Sequence, residues 1–514
     1  MIRREFVRGV GMAALGAATV PDFVACGSSQ AREREKVAIV GAGIAGLVTA
    51  LRLHDAGIDS TIYESSERIG GRMHSERAYW NQGQHTEWCG AMVDSTHVNI
   101  RQLSRRFGLG LLDTHAARPA RARDTCYLDG RYYSMTDADR DFAKIYPTLQ
   151  SQLAQIPSAT TYANATAMAR RLDSMSMRDW IERYVPGGTS SQLGRLIAES
   201  YRNEYGREIE ELSALNLVEQ LGLQRHYAEN RQMNVLGYSD QRYILADGSQ
   251  ALPEAIAAAL PAGSVVLDCR LVALRRLRGG TYELRFARGG TTETIYADRV
   301  VLALPFIVLR ALDVSGAGFD SAKTDAIQNL GYGYHTKLHL QFDRRAWMRA
   351  THPWPEPTTG QIWTTLRVQS ALDYSLGQSG RDGLIEVFTA AGPAMLDTPS
   401  MPYARISESD EVGRHVRSFF DQLDRIWPGV ASTWNGKATL GNAQADPNIR
   451  ASYSCWLVGQ CTTIAGHEAT PQGRVHFAGE HTSVDNQGFM EGGAESGVRA
   501  AGEILADYRI RAVG

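Results

Sequence analysis

The pattern of apolar and polar positions predicts an α/β fold built around a buried parallel sheet. Val37–Val40 is a continuous apolar run, Leu47–His54 has helical periodicity, and Ser60–Tyr63 is a second run with β-branched residues. Short runs of this kind are typical of parallel strands that are covered on both faces. Further strands are predicted at Ser264–Asp268, Leu271–Arg276, Tyr282–Phe286 and Asp298–Leu304.

The remaining pattern predicts a helical region and a second sheet. Apolar residues recur at helical spacing between residues 95 and 237, for example at Met177, Ile181 and Tyr184. Alternation in Leu330–Phe342 predicts a strand that carries Lys337, His339 and Gln341 on one face. Leu384–Phe388 is predicted as a strand, Glu411–Trp427 as an amphipathic helix, and Gly488–Tyr508 as a long C-terminal helix. A chain of 514 residues with these elements is expected to form two domains.

The turn after the first strand has the composition of a dinucleotide-binding loop. Gly41, Gly43, Ala45 and Gly46 belong to a G-x-G-x-x-G sequence that opens the first helix. These glycines permit a tight turn, backbone approach to a pyrophosphate, and close packing of helix on strand. Glu64 follows the second strand, where a carboxylate accepts hydrogen bonds from a ribose. Strand, glycines, helix, strand and acid in this order predict a Rossmann-like domain.

A second glycine-rich stretch follows this unit. Ser65 comes directly after Glu64, and Gly70-Gly71-Arg72 then offers backbone N–H groups and a guanidinium to a diphosphate. Near the C-terminus, Gly479-Glu480-His481-Thr482 precedes Gly488-Phe489-Met490-Glu491. With these two stretches, the chain resembles the flavin-containing amine oxidase family, which covers monoamine, polyamine and L-amino acid oxidases, and it resembles an exported bacterial member.

The resemblance implies a discontinuous, Rossmann-like FAD-binding domain and an α+β substrate domain with a helical insertion. The FAD-binding segments are expected at residues 36–94, 238–305 and 442–514, and the substrate domain at residues 95–237 and 306–441. Gly90, Ala91 and Met92 are expected to pass close to the flavin ring, and Val272 to meet the adenine. Glu480 is expected near the ribityl–phosphate arm. The positive end of the helix at Gly488–Met490 is expected to face flavin N1 and C2, where negative charge develops on reduction.

The same resemblance implies the catalytic residues. Lys337 is expected to hold a water beside flavin N5, and Trp456 and Phe489 to form an aromatic cage that orients a neutral amine. The expected reaction is hydride transfer from the amine to flavin N5, which gives an imine, then an aldehyde and H₂O₂. FAD is expected to bind non-covalently, although Cys455 directly precedes Trp456, as the flavin-linked cysteine precedes the cage tyrosine in mitochondrial monoamine oxidases. The spacing of His and Cys predicts no metal site.

The substrate remains open between two classes. Related L-amino acid oxidases carry an arginine after the Gly-Ala-Met segment, whereas this chain has Val93 and Asp94 there. Asp94 would attract an ammonium group, which favours a mono-, di- or polyamine, but an arginine from the helical insertion could still bind an amino acid. An amine dehydrogenase that reduces a periplasmic carrier is a third candidate, and a flavoprotein that serves only as a binding module is a fourth. Glu204-Tyr205-Gly206 also resembles part of the family, without an assigned chemistry.

Charge and the N-terminus indicate an exported protein that does not bind nucleic acid. Lys and Arg total 54 against 56 Asp and Glu, and no basic stretch is interleaved with aromatics. Arg3-Arg4 and the apolar run that follows predict a twin-arginine export signal over residues 1–26, and residues 27–35 a polar tether. Cys26 marks either a lipoprotein attachment site or a simple cleavage site. The expected location is the periplasm or the cell envelope, and the oligomeric state is undetermined.

Overall fold

The computed structural model describes residues 35–348, 357–396 and 399–513. The predicted export signal, Cys26 and all but the last residue of the tether lie outside these ranges. The described residues from Lys36 onward form one compact unit. No helix of the described ranges is both long and apolar enough to cross a membrane.

The strands and helices of the described residues follow here in chain order. The strands are β1 (Val37–Val40), β2 (Ser60–Tyr63), β3 (Ser75–Glu76), β4 (Thr86–Glu87), β5 (Leu111–Asp113), β6 (Arg123–Leu128), β7 (Arg131–Tyr133), β8 (Tyr243–Leu245), β9 (Val265–Val266), β10 (Arg270–Arg276), β11 (Tyr282–Arg288), β12 (Thr291–Ala297), β13 (Arg299–Leu302), β14 (Gly331–Tyr332), β15 (His335–Phe342), β16 (Thr358–Thr364), β17 (Ser370–Asp373), β18 (Gly383–Ala390), β19 (Tyr403–Arg405), β20 (Trp434–Gly441), β21 (Ser454–Cys455) and β22 (Val475–Phe477). The helices are α1 (Ile44–Asp55), α2 (Val98–Arg106), α3 (Met135–Leu153), α4 (Ala167–Asp173), α5 (Met177–Tyr184), α6 (Gln192–Tyr205), α7 (Ala214–Gly222), α8 (Tyr227–Asn230), α9 (Ala251–Ala258), α10 (Phe306–Leu309), α11 (Ser321–Asn329), α12 (Ala391–Leu396), α13 (Asp410–Ile426) and α14 (Met490–Val513).

A five-stranded parallel sheet forms the first half of the fold, in the order β22-β13-β1-β2-β9. Its strands come from three separated parts of the chain, as the resemblance implied. The bounds predicted for β1 and β2 are confirmed, because both strands are short runs flanked by clear turn residues. Helix α14 packs on α1, and Gly497 permits this approach, since a Cβ there would lie 2.5 Å from the carbonyl oxygen of Ala45.

The glycine-rich turn has the geometry that its sequence predicts. Gly41 has a φ of +106°, and a Cβ there would lie 2.5 Å from the carbonyl oxygen of Ala303. A Cβ on Gly46 would lie 2.0 Å from the carbonyl oxygen of Gly41. Gly46 therefore allows the first turn of α1 to pack against the end of β1.

A mixed eight-stranded sheet forms the second half, in the order β19-β20-β15-β18-β17-β16-β6-β7. Strand β15 is buried along its whole length, and α13 packs on the sheet through Val412, Val416, Phe419 and Leu423. The helical interpretation of residues 95–237 is correct for α2 to α8 but wrong for β5, β6 and β7. Strand β5 pairs with β8, whereas β6 and β7 complete the second sheet because β6 pairs in parallel with β16.

The helical insertion has its own core. Helices α3, α5, α6 and α7 pack around the fully buried side chains of Trp180 and Tyr201. The buried Cys455 and Cys461 belong to the same core, so the segment after β21 is anchored against the insertion. The C-terminal end of α6 thereby reaches the cavity described below.

Candidate active site

A cavity with a volume of about 340 Å³ is lined by residues of both sheets and the helical insertion. The turns that follow β1 and β2 form one part of its wall, which places the cavity at the carboxyl ends of parallel strands, where α/β folds bind ligands. The predicted site residues that line it are Gly41, Gly43, Ala45, Glu64, Ser65, Gly71, Arg72, Gly90, Ala91, Met92, Lys337, Gly479, Glu480, Gly488, Phe489 and Met490.

The nucleotide end of the cavity has the features that a dinucleotide needs. Helix α1 has no side-chain cap, so its N-terminal N–H groups are available to an anion. A Cβ built on Gly43 would have no atom within 4 Å, so this glycine borders open space on the wall. Glu64 is fixed at the end of β2, since its Oε2 accepts a 2.8 Å hydrogen bond from the backbone N–H of Ala42. The residues present therefore fit a bound FAD.

A buried ion pair joins the N-terminal and C-terminal motifs. Arg72 Nη1 donates to Glu480 Oε1 at 2.9 Å and to the carbonyl oxygen of Ser452 at 2.7 Å. Glu480 Oε2 accepts from Ser454 Oγ at 2.7 Å and from the N–H of Gly488 at 2.9 Å. Burial by itself would raise the pKa of Glu480, but the Arg72 guanidinium brings it below its ordinary value. Arg72 was predicted to contact the diphosphate. The structure shows that it also holds Glu480 in place.

The segments expected near the flavin ring are in contact with one another. The N–H of Gly90 donates to the carbonyl oxygen of Arg72 at 2.8 Å, and a Cβ on Gly90 would lie 3.0 Å from Met490 Cγ. Helix α14 begins at Met490. The start of the C-terminal helix therefore packs directly on the Gly90–Met92 segment, and both line the cavity.

Lys337 lies on the cavity wall within a buried polar cluster. Its Nζ donates to Glu386 Oε2 at 3.1 Å, and His339 Nε2 approaches the same oxygen at 3.0 Å. His339 Nδ1 lies 3.1 Å from Thr439 Oγ1. Burial lowers the pKa of His339, whereas the pKa of Glu386 is lowered by Lys337 and His339 in spite of its burial. Lys337 is thus held on the cavity wall by its ion pair with Glu386.

Sequence reasoning missed Glu386. It lies in a strand whose other residues are mostly apolar, and a carboxylate in such a strand is the signal that could have identified it, since buried charges are normally paired.

The predicted aromatic cage needs a correction. Trp456 does not line the cavity, and it packs against the insertion core instead, where its carbonyl oxygen accepts from Asn216 Nδ2 at 2.8 Å. Tyr453 lines the cavity wall where Trp456 was predicted. A Cβ on Gly488 would lie 3.2 Å from the Tyr453 ring. Tyr453 and Phe489 are therefore the aromatic side chains that face the reaction space from these two segments.

His335 holds Tyr453 in place. Its ring is stacked between Phe388, at a centroid distance of 4.4 Å, and Tyr453, at 4.8 Å. Nδ1 lies 2.6 Å from Ser452 Oγ, and Nε2 lies 2.7 Å from the carbonyl oxygen of Asn203. Burial lowers the pKa of His335 to about 3. With both ring nitrogens engaged, this neutral histidine is placed to orient its neighbours rather than to exchange protons with a substrate.

Three other predicted residues lie away from the cavity wall. Asp94 is fully buried and accepts from Ser239 Oγ at 3.1 Å and from the N–H of Gln241 at 2.8 Å, so it anchors a loop and does not face a substrate. The carbonyl oxygen of Val272 accepts from the N–H of Asp313 at 3.1 Å, and its neighbour Leu271 lines the cavity instead. Gly46 lies behind the wall, in its packing role.

The cysteine considered for a flavin link lies away from the cavity. Cys455 is fully buried away from the cavity wall, and burial raises the pKa of its thiol to about 12. A covalent flavin link through Cys455 is therefore not supported. Within the described residues, no group of three or more His, Cys, Asp and Glu side chains could hold a metal ion.

One end of the cavity has a parallel sheet and an uncapped helix N-terminus, and the other end has a lysine and two aromatic rings. Together these features define the class of flavin-dependent oxidoreductases. The chain belongs to the family of flavin-containing amine oxidoreductases, whose family model matches residues 44–505. FAD is its cofactor, and the protein is a flavin-dependent amine oxidoreductase.

Comparison with known proteins gives relatives across the family. The chain is 22% identical to a putative L-amino-acid oxidase, YobN, of Bacillus subtilis (strain 168), over 93% of this chain and 96% of that protein. It is 24% identical to polyamine oxidase 4 of Oryza sativa subsp. japonica, over 91% of this chain and 88% of that one.

Solved structures show the same fold. The structure of cyclohexylamine oxidase from Brevibacterium oxydans IH-35A matches with a TM-score of 0.76 and 18% identity, over 93% of this chain and 100% of that one. Wild-type putrescine oxidase bound to putrescine matches with a TM-score of 0.74 and 18% identity, over 92% and 99%.

Proposed function

We propose that the protein oxidises an amine, rather than an amino acid, and passes the electrons to oxygen with release of H₂O₂. The observation that carries this proposal is the charge of the substrate side of the cavity. Among the described residues, the arginines that line the cavity are Arg68, Arg72 and Arg270, and all three belong to the FAD-binding segments. The insertion and the second sheet contribute Glu204, Glu386 and Lys337 but no arginine to bind a substrate carboxylate.

The chain's own residues orient the amine and exclude water. Bound FAD supplies the hydride acceptor, and water then hydrolyses the imine product to an aldehyde. The rings of Tyr453 and Phe489 offer apolar faces that orient a neutral amine nitrogen. Lys337 is already paired with Glu386 and is therefore unsuited to take a proton from the substrate. The contribution of the protein to this step is orientation and desolvation.

An L-amino acid oxidase is the second candidate, and one observation favours it. Arg118 lines a smaller cavity of about 30 Å³ that shares Gln241 and Gln361 with the wall of the main cavity. Burial lowers the pKa of Arg118, and its Nε has no hydrogen-bond partner. An arginine from the insertion is thus close to the substrate space, but outside the main wall.

Anaerobic bleaching of the bound flavin tests the two candidates. We expect the purified protein to be yellow and to be bleached by amines, with amino acids at least tenfold slower. Admission of air should restore the colour and release peroxide. Bleaching by amino acids alone, lost in Arg118→Met, would establish the second candidate. Colour that returns only with an added electron acceptor would indicate a dehydrogenase.

We further propose export by the twin-arginine route to the periplasm or the cell envelope. This rests on Arg3-Arg4 and the apolar run after them. Replacement of both arginines with lysine should retain the protein in the cytoplasm. Cell fractionation of the wild type and Cys26→Ala tests whether Cys26 carries a lipid anchor. Membrane attachment that the variant abolishes would establish a lipid at Cys26. Identical soluble partitioning of the two proteins would exclude it.

A further inference from the structure

The smaller cavity of about 30 Å³ that Arg118 lines is called the side chamber here. It shares Met92, Gln241, Gln361 and Leu372 with the wall of the main cavity. The further polar residues of its wall are Thr114, Arg118, Thr359, Asp373 and Tyr374. The proposed amine oxidation uses none of these further residues.

The side chamber continues the main cavity along one face of two paired strands. Alternate residues of β16 line the two cavities, with Trp363 in the main cavity, Gln361 in both and Thr359 in the side chamber. The same alternation holds at the end of β17, since Leu372 lines both cavities and Tyr374 lines the side chamber. Side chains two positions apart on a strand share one face. The side chamber is therefore adjacent to the reaction space.

Arg118 brings a guanidinium group to the side chamber. Its side chain is half-buried, and its Nε has no hydrogen-bond partner. Arg118 also forms no ion pair with any of the residues that the structure describes. Burial lowers its pKa, and the carboxylates that act on it do not offset this effect. A guanidinium in such a position is costly unless an anion compensates its charge.

The carboxylates that act on Arg118 already have other partners. They are Asp113, Asp124 and Asp240. Their donors, at 2.7–3.0 Å, are Arg242 Nη2 to Asp113, Thr359 Oγ1 and Trp363 Nε1 to Asp124, and the N–H of Ser95 to Asp240. Each of these carboxylates is thus fixed by another donor, so the charge of Arg118 is only partly compensated.

The wall of the side chamber has donors that lack an acceptor. Its own carboxylate, Asp373, accepts from the N–H of Ser375 and from Trp347 Nε1, both at 2.9 Å. Tyr374 is 2% exposed, and its hydroxyl has no hydrogen-bond partner. A buried O–H group without an acceptor costs free energy. Arg118 Nε and the hydroxyl of Tyr374 are therefore two unpaired donors on residues of one small cavity.

The size of the side chamber limits which acceptor it can hold. A water-sized group needs about 10–15 Å³, so this cavity has room for roughly two of them. A halide ion or the two oxygens of a carboxylate fits this space, and either supplies the negative charge that water lacks. We propose that the side chamber binds one small monovalent anion, which the guanidinium of Arg118 and the hydroxyl of Tyr374 hold. Its source is a free inorganic ion or the carboxylate end of a molecule that extends into the main cavity.

Crystals of the holoenzyme soaked in sodium bromide test the site directly, because bromide scatters X-rays anomalously. We expect an anomalous peak within hydrogen-bond distance of Arg118 and Tyr374 in the wild type, and no peak there in Arg118→Met. In solution, calorimetric titration with bromide at constant ionic strength measures the affinity. Arg118→Met should weaken it roughly 10- to 100-fold, and Tyr374→Phe roughly 3- to 10-fold.

Arg310→Met is the matched control for Arg118→Met. Arg310 is also half-buried, and burial lowers its pKa as well. It donates to the carbonyl oxygens of Ile327 at 2.7 Å and Leu330 at 2.6 Å, and it lines neither cavity. Arg310→Met should therefore keep the affinity of the wild type for bromide.

A comparison of formate with hexanoate distinguishes the two sources of the anion. Hexanoate that binds at least tenfold more tightly than formate, and competes with the amine in flavin reduction, indicates a carboxylate with a tail in the main cavity. Equal affinities indicate a free ion. A wild type without the bromide peak, or an affinity that Arg118→Met leaves unchanged, would overturn the site whatever the flavin oxidises. If Arg118→Met does not fold, the wild-type map and Tyr374→Phe decide.

Discussion

Replacement of Lys337 with methionine should slow reoxidation of the reduced enzyme by oxygen roughly 10²- to 10³-fold, with little change in its reduction by amine. Among the described residues, Lys337 is the cation of the cavity's substrate side, it is largely buried, and Glu386 holds it at 3.1 Å. When oxygen accepts electrons, negative charge develops in this space, and a fixed ammonium group stabilises it. Methionine has similar length but no charge. Stopped-flow measurement of the two half-reactions separates the effects.

Lys323 provides the matched control for this variant. It is also a buried lysine, but its Nζ donates to the carbonyl oxygen of Glu468 at 2.7 Å, and Lys323 does not line the cavity. Lys323→Met should leave both half-reactions of the folded protein nearly unchanged. If Lys337→Met slows both half-reactions equally, or neither, the assigned role of Lys337 is wrong.

The nucleotide end of the site could be predicted because its determinants are local in the sequence. Gly41, Gly43 and Gly46 act on one turn, and Glu64 lies at the end of the next strand. Each residue has a conformational or steric task that neighbouring residues cannot perform, such as the φ of +106° at Gly41. The order of residues along some 30 positions is therefore sufficient to define this part of the structure.

The reaction end could be predicted only in part because four distant segments assemble it. Periodicity places Lys337 and His339 on one face of a strand, but it does not reveal that Glu386 of another strand pairs with both. It also does not distinguish Tyr453 from Trp456, because the pairing of β21 with β14 decides which aromatic ring faces the cavity. The sequence pattern does not predict that Glu204 lines the cavity, because the packing of α6 against β18 brings it to the wall.

Strands β6 and β7 illustrate the same limit at the level of the fold. They lie between helices, and their alternation is short, so helical periodicity dominates the surrounding sequence. Strand β7 pairs with β6, and β6 pairs with β16, which lies more than 200 residues further along the chain. Non-local pairing of this kind overrides local propensity.

Replacement of Glu480 with glutamine should lower the free energy of unfolding by about 3–5 kcal/mol, because it leaves the Arg72 guanidinium charged and without its carboxylate partner inside the protein. Arg72 lines the cavity, and its side chain is 24% exposed, while that of Glu480 is 6% exposed. Urea unfolding of the variant and the wild type measures the difference. Glu254→Gln is the matched control, because the Arg77–Glu254 pair is well exposed, with side-chain exposures of 36% and 40%, and such pairs contribute about 0–1 kcal/mol.

The pH dependence of this difference provides a second measurement. Because the pKa of Glu480 is lowered in the folded protein, its stabilising contribution is complete above the ordinary pKa of a glutamate. The contribution is then lost as the pH falls through the lowered pKa of the folded state. The gap between wild type and Glu480→Gln should therefore be constant near neutral pH and shrink in acid. A gap that is no larger than that of Glu254→Gln, or one that widens in acid, would show that the pair does not hold the two motifs together.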